Sequence, residues 1–186
     1  MNILEQVKQR SITQVDDLKG KKVLVRIDVN TSLGDNETVD PGEDWRILQS
    51  YRTIEYLVEQ EACVILMSHI GREPEESLKP IYDYMKDAFT LGFMPNWDEK
   101  LLTQTIPDMQ HGSIIMLENV RQHTGEKEND PAYLNTVIDL ADYYVNDAFS
   151  VSHRDHASVS AITKHLPSYF GIQFVDEVEH LEKALN

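Results

Sequence analysis

The chain has 186 residues, with 32 Asp and Glu against 17 Lys and Arg, a formal net charge of −15, 41% hydrophobic content and one cysteine. This acidity argues against nucleic-acid binding, which needs a basic stripe, and no apolar run nears the roughly 18 residues of a membrane-spanning helix. Length and composition suit one domain, without a Gly/Ser- or Pro-rich linker.

The N-terminal MNILEQVKQR carries acid and amide where a signal peptide needs an apolar stretch. Residues 23–29 form a continuous apolar, β-branched-rich run of strand length. Residues 45–60 then place Ile47, Tyr51, Ile54, Leu57 and Val58 at helical spacing, with Asp44 as N-cap. The run 63–68 is a second strand. Its Cys63, inside ACVILM, reads as a core thiol, which suits a reducing, cytoplasmic setting.

Ser77 is positioned to cap a helix reaching Phe89, with Leu78, Ile81, Met85 and Phe89 on one side and Pro80 in the first turn. Within 91–112 we expect a short helix over 98–105 and a turn at Pro107. A strand at 113–118 follows. Asp130–Pro131 starts a helix bearing Leu134, Val137, Ile138 and Ala141, and 143–146 is the next strand. A helix over 158–166 is stopped by Pro167, a short strand is expected at 171–174, and 176–185 forms the last helix, with Lys183 near its end as the helix dipole prefers. Continuous apolar strands fit a sheet covered on both faces. Their alternation with helices specifies βαβ units: a single α/β domain with a parallel, doubly wound, Rossmann-like sheet flanked by helices.

Four runs end in polar clusters: VLVRIDVN (23–30), VILMSHIGR (64–72), IIMLENVR (114–121) and YYVNDAFSVSHR (143–154). Their polar ends, together with the DWR after the first run, hold Arg46, Arg72, Arg121 and Arg154, four of the chain's seven arginines, with His69 and His153 beside them. In doubly wound sheets ligands bind beyond the carboxyl ends of the strands, so the clusters share that edge. A lone arginine in so acidic a chain is more often a surface ion-pair partner, but four at strand ends point to an anion. Guanidinium forks match carboxylate and phosphate oxygens. At roughly 1.5–3 kcal/mol per charge-assisted bond, less ordering and desolvation, micromolar-range affinity is expected. Asp28 would repel phosphate, so it suits a ligand hydroxyl, with Asn30 pointing the same way.

Other features read as structural. His153 and His156 form HxxH without a third metal ligand at suitable spacing. His123 reads as a loop histidine, Tyr51, Tyr56, Tyr82 and Tyr84 as helix packing, and GEKEND (125–130) as a solvated loop. The chain has neither GxxxxGK[ST] nor GxGxxG, so a kinase complete within these residues is not expected.

The motifs, in order and spacing from about Leu18 to Leu185, resemble the N-terminal domain of phosphoglycerate kinases: VRIDVN, DWRI, LMSHIGR followed by SLKP, LENVRQHTGEKEND and YVNDAFSVSHRDHAS. The resemblance implies that residues 1–186 form the substrate-binding domain, with Asp28, Asn30, Arg46, His69, Arg72, Arg121 and Arg154 making the 3-phosphoglycerate site. His69, Arg72, Arg121 and Arg154 would hold the ligand's phosphate end, and Asp28 and Asn30 its hydroxyl and reactive end. Arg46 would be the catalytic residue, stabilising the phosphoryl group in flight.

The resemblance further implies that the family's C-terminal nucleotide-binding domain is absent, so this chain holds no cofactor itself. Mg-ATP or ADP would come through that domain or a separate nucleotide-binding half. The expected small-molecule ligands are 3-phosphoglycerate and 1,3-bisphosphoglycerate, with no nucleic acid or membrane partner. A free-standing anion-binding or interaction module derived from that domain is the alternative. Departures from the family pattern are Thr31–Ser32 for Val-Pro, Glu73 for Pro, Gln122 and Thr124 for Phe and Pro, and Ser150–Val151–Ser152 for Gly-Thr-Ala. None removes a charged ligand contact, but each loop loses residues that stiffen or shape its backbone.

Overall fold

The computed structural model describes residues 2–34, 36–40 and 42–185. The apolar runs form the inner strands of a sheet: β1 (Lys22–Ile27), β2 (Cys63–Met67), β4 (Ile114–Leu117) and β5 (Tyr143–Asp147), all largely buried. Two further strands, β3 (Leu91–Met94) and β6 (Ser168–Phe170), are its edges. The order is β3-β4-β2-β1-β5-β6 and every neighbouring pair is parallel, with Val25 opposite Leu66 on one side and Val145 on the other.

Seven α-helices are seen among the described residues: α1 (Ile3–Gln9), α2 (Trp45–Glu59), α3 (Lys79–Met85), α4 (Glu99–Thr105), α5 (Thr124–Glu128), α6 (Asn135–Leu140) and α7 (Ile172–Leu185). Successive strand residues point to opposite faces. Val23, Val25 and Ile27 pack with Ile47, Ile54 and Leu57 of α2 and Ile81 and Met85 of α3. Leu24, Ile65, Met67 and Tyr144 pack on the other face with Leu102, Leu134, Val137 and Ile162. The sheet thus divides the core into two layers, which explains why its strands read as continuous apolar runs.

Chain direction across the sheet reverses at β1, with β2, β4 and β3 on one side and β5 and β6 on the other. The β1/β5 boundary is therefore the topological switch point, where such folds place ligands.

Several expected elements differ. The strand expected at 171–174 lies at Ser168–Phe170 instead, and α7 begins at Ile172, four residues earlier than read. Phe174 is buried in the first turn of that helix, so its apolar signal belongs to helix packing. The helix after Ser77 ends at Met85 rather than Phe89; Ser77 Oγ accepts from Lys79 N at 3.0 Å but lies one residue before the cap position. Asp44 occupies the N-cap of α2 without capping it, its carboxylate instead accepting from the Tyr84 hydroxyl at 2.6 Å.

The Asp130 helix divides into a 3-10 turn at Pro131–Leu134 and α6, and of 158–166 only a 3-10 turn at Ala161–Lys164 is helical. β3, α1 and α5 are additions to the sequence reading. Cys63 is buried, as expected. No helix among the described residues is long and apolar enough to cross a membrane.

Candidate functional site

Parallel strands bring the polar clusters to one edge. Beyond β2 and β4, with contributions from the β1 and β5 loops, Asn30, His69, Arg72, Arg121 and Arg154 line a cavity of about 500 Å³, together with Gly71, Lys127 and His156. Among the described residues no carboxylate pairs with Arg72, Arg121 or Arg154. Burial holds the Arg121 guanidinium below its ordinary pKa, and the neighbouring Arg154 and Arg26 push the same way. Glu126 and Glu76 offset this only in part, so the cavity is a cluster of cations without a directly paired carboxylate among the described residues, an arrangement that an anion relieves.

The cavity is held from beneath. Arg26, 1% exposed, donates from Nη1 to Ile27 O (2.7 Å) and Ser68 Oγ (3.1 Å), and from Nε to Ser158 Oγ (3.1 Å). Its Nη2 lies 2.8 Å from His69 Nδ1. Because guanidinium only donates, Nδ1 must accept, leaving the His69 proton on Nε2. Burial first, then the Arg26 charge, pushes the His69 pKa down to about 2, so His69 is a neutral donor.

Ser158 Oγ in turn donates a hydrogen bond to buried Glu126 (2.7 Å), which also accepts from Ser158 N (2.9 Å) and the Tyr133 hydroxyl (2.6 Å). His156 Nδ1 lies 3.6 Å from the same carboxylate, and burial is the main cause lowering the His156 pKa. GEKEND is thus not a solvated loop: its third residue, Lys127, reaches Arg72 O at 3.3 Å, while Glu126 is buried in α5. His123, read as a loop histidine, stacks on Tyr133 at 4.4 Å and meets the Trp97 edge at 5.1 Å.

Asp28 and Arg46 stand apart from this cavity, at the switch point. They line a pocket of about 100 Å³ with Ser50, Asp147, Ser150 and Glu177. Arg46 Nη1 donates to Asp28 Oδ2 at 2.5 Å, Ser150 Oγ donates to the same oxygen at 2.6 Å, and Asn30 N reaches Asp28 Oδ1 at 3.2 Å. The Arg46 guanidinium stacks over Trp45 at 4.6 Å. Asp28 is therefore engaged before any ligand hydroxyl arrives. Asn30 Oδ1 is likewise taken, by Gly71 N at 2.8 Å, leaving its Nδ2 for a ligand.

Asp147, at the end of β5, is buried; its Oδ1 accepts from Phe174 N at 3.0 Å while Oδ2 has no partner. Burial pushes this carboxyl up to about 7, against the opposing pull of nearby Thr53 and the α7 backbone.

The structure thus brings His69, Arg72, Arg121 and Arg154 together with Asn30 at their rim, and sets Asp28 with Arg46 in a second pocket. Arg26, Lys127, Glu126 and His156 are additional members. The only sequence signal for Arg26 was a charge inside an apolar strand. Among the described residues no three His, Cys, Asp or Glu converge to hold a metal ion.

Fold and edge define a doubly wound α/β protein with a cavity lined by three arginines at its strand ends. The phosphoglycerate kinase family profile matches residues 12–186. A phosphoglycerate kinase of Wolbachia sp. subsp. Drosophila simulans is 42% identical over 176 residues, covering 91% of this chain and 44% of the relative. One from Maricaulis maris is 39% identical, covering 91% and 43%. The solved phosphoglycerate kinase of Coxiella burnetii superposes with a TM-score of 0.79 at 28% identity, covering 94% of this chain and 44% of its own. That of Pyrococcus horikoshii, at 22% identity and a TM-score of 0.82, shares the fold over 94% of this chain and 45% of its own. The chain belongs to the phosphoglycerate kinase family, and it spans about 44% of the length of the relatives it matches.

Proposed function

We propose that this chain is the substrate-holding half of a phosphoglycerate kinase, binding 3-phosphoglycerate with its phosphate in the arginine cavity and its carboxylate end toward Arg46. The observation carrying this reading is the cluster of Arg72, Arg121 and Arg154, without paired carboxylates among the described residues, in a chain of net charge −15. His69 adds a neutral Nε2–H, and Arg121 is pre-aimed by a bond from its guanidinium to Gly71 O.

The reaction is phosphoryl transfer between 1,3-bisphosphoglycerate with ADP and 3-phosphoglycerate with ATP, in which positioning and charge neutralisation supply most of the catalysis. Arg46 can turn its remaining guanidinium nitrogens toward the phosphoryl group while Nη1 stays on Asp28. Magnesium and nucleotide would be brought by a second domain or a separate half, so this chain alone binds substrate without turnover.

Isothermal titration should show 3-phosphoglycerate binding in the micromolar range that weakens with salt. Arg72→Ala or Arg154→Ala should weaken it about tenfold to a hundredfold, whereas Arg46→Ala retains most of it. Neither heat nor a rise in melting temperature at millimolar ligand would overturn the reading. A second reading is a free-standing anion-binding module that uses the same arginine cavity. Adding a separately produced nucleotide-binding half decides between them: ATP-dependent transfer supports the first, and associated halves without turnover support the second.

A further inference from the structure

Gly71 adopts φ +62, the left-handed region that glycine tolerates best. This turns the next two backbone N–H groups, of Arg72 and Glu73, onto one point, the concave donor arrangement that holds anions in many phosphate sites. Here the point is occupied by the chain itself: Glu76 Oε2 accepts from Arg72 N at 2.5 Å and Glu73 N at 2.8 Å. A Cβ on Gly71 would collide with that carboxylate. A proline at position 73 would have no N–H to offer, so the second bond of this clamp needs a residue other than proline there, as Glu73 is.

The clamped loop is tied on every side to the arginine cavity. Asn119, fully buried, donates from Nδ2 to Glu76 O (2.7 Å) and Ile70 O (3.0 Å). Arg121 donates to Gly71 O, and Asn30 accepts from Gly71 N at 2.8 Å.

We infer that Glu76 is a positioning residue for anion binding: its carboxylate fixes the Arg72 backbone so that the Arg72 side chain is presented to the cavity. This rests on the proposed 3-phosphoglycerate site. It deepens that site by assigning to an acidic residue the stiffening of its loop. A carboxylate near phosphate would by charge alone weaken binding, so the two possible roles of Glu76 predict opposite signs.

The test is a double-mutant cycle read by titration with 3-phosphoglycerate. Glu76→Ala should weaken binding roughly tenfold, the loss expected for one displaced charge-assisted contact. Glu76→Gln, whose amide oxygen can still accept both N–H groups, should recover most of the affinity. Glu76→Ala added to Arg72→Ala should cost no more than about twofold further, because the side chain being positioned is already gone. Tighter binding in both Glu76 variants, no change, or additive losses would overturn the inference.

Amide hydrogen exchange at Arg72 and Glu73 keeps the outcome independent of the ligand assignment. Protection lost in Glu76→Ala and kept in Glu76→Gln upholds the clamp even if 3-phosphoglycerate does not bind. Unchanged protection in Glu76→Ala overturns it.

Discussion

Two neighbouring stretches of the same strand edge carry arginine in opposite states. In the larger cavity Arg72, Arg121 and Arg154 line one wall with no paired carboxylate among the described residues, while at the switch point Arg46 already holds Asp28 at 2.5 Å and stacks on Trp45. The first arrangement is electrostatically unfinished without a ligand, so it should supply affinity. The second is complete without one. Arg46 gains less from a ground-state ligand, so its effect should fall on transfer more than on binding. Under the proposed function, binding and chemistry would therefore fall to different arginines, according to their partners in the free protein.

The strongest way to break the contrast is to remove the carboxylate beneath the larger cavity. Glu126 accepts hydrogen bonds from Ser158 N, Ser158 Oγ and the Tyr133 hydroxyl, and through Ser158 it faces buried Arg26. Glu126→Ala leaves these donors unpaired and Arg26 without its relayed counter-charge. We expect a loss of about 3–5 kcal/mol in denaturant unfolding. A loss under 1 kcal/mol would mean that the pocket's floor does not depend on this carboxylate.

The switch-point side is probed by pH. The Asp147 carboxyl is raised from 3.8 to about 7 by burial, and Asp28, Arg46 and Glu177 line the same pocket. Below about pH 4 it is neutral both folded and unfolded. Between there and pH 7 the unfolded chain releases this proton while the folded chain keeps it, so its contribution to stability falls as pH rises and levels off above 7. Asp147→Asn keeps an oxygen for Phe174 N and removes the titration. Relative to the parent, it should gain on the order of 2–3 kcal/mol at pH 8 and show no gain at pH 4. Parallel stability–pH curves for the two proteins would refute this.

Which parts were legible in the sequence follows from the same physics. β1, β2, β4 and β5 are buried on both faces, so burial alone wrote them as apolar runs, and parallel pairing then put their polar ends on one edge. Edge strand β3, LGFM with an exposed glycine, carries no such run. Arg26 and Glu126 were illegible as a pair because their link runs through Ser158, 132 residues from one and 32 from the other. Local patterns do not report a charge made tolerable by a distant hydroxyl. The separation of Arg46 from the other arginines was hidden likewise, since it depends on Asp28 and Ser150 meeting across the β1/β5 boundary.

That meeting yields the smallest and most selective test. The Ser150 hydroxyl donates to Asp28 Oδ2 at 2.6 Å beside the Arg46 contact. Ser150→Ala removes one donor to a carboxylate that keeps two others, so the acceptor is not orphaned. The cost should be about 1 kcal/mol, a fall in melting temperature of about 2–4 °C for a chain of this size. Anion affinity in the arginine cavity should stay within about twofold, because no residue of that cavity loses a contact. Ser150→Gly should behave like Ser150→Ala in binding but lose somewhat more stability, through the extra freedom of the unfolded chain. If either variant altered affinity as strongly as Arg154→Ala, the two pockets would be one coupled site, and affinity could no longer be credited to the unpaired arginines alone.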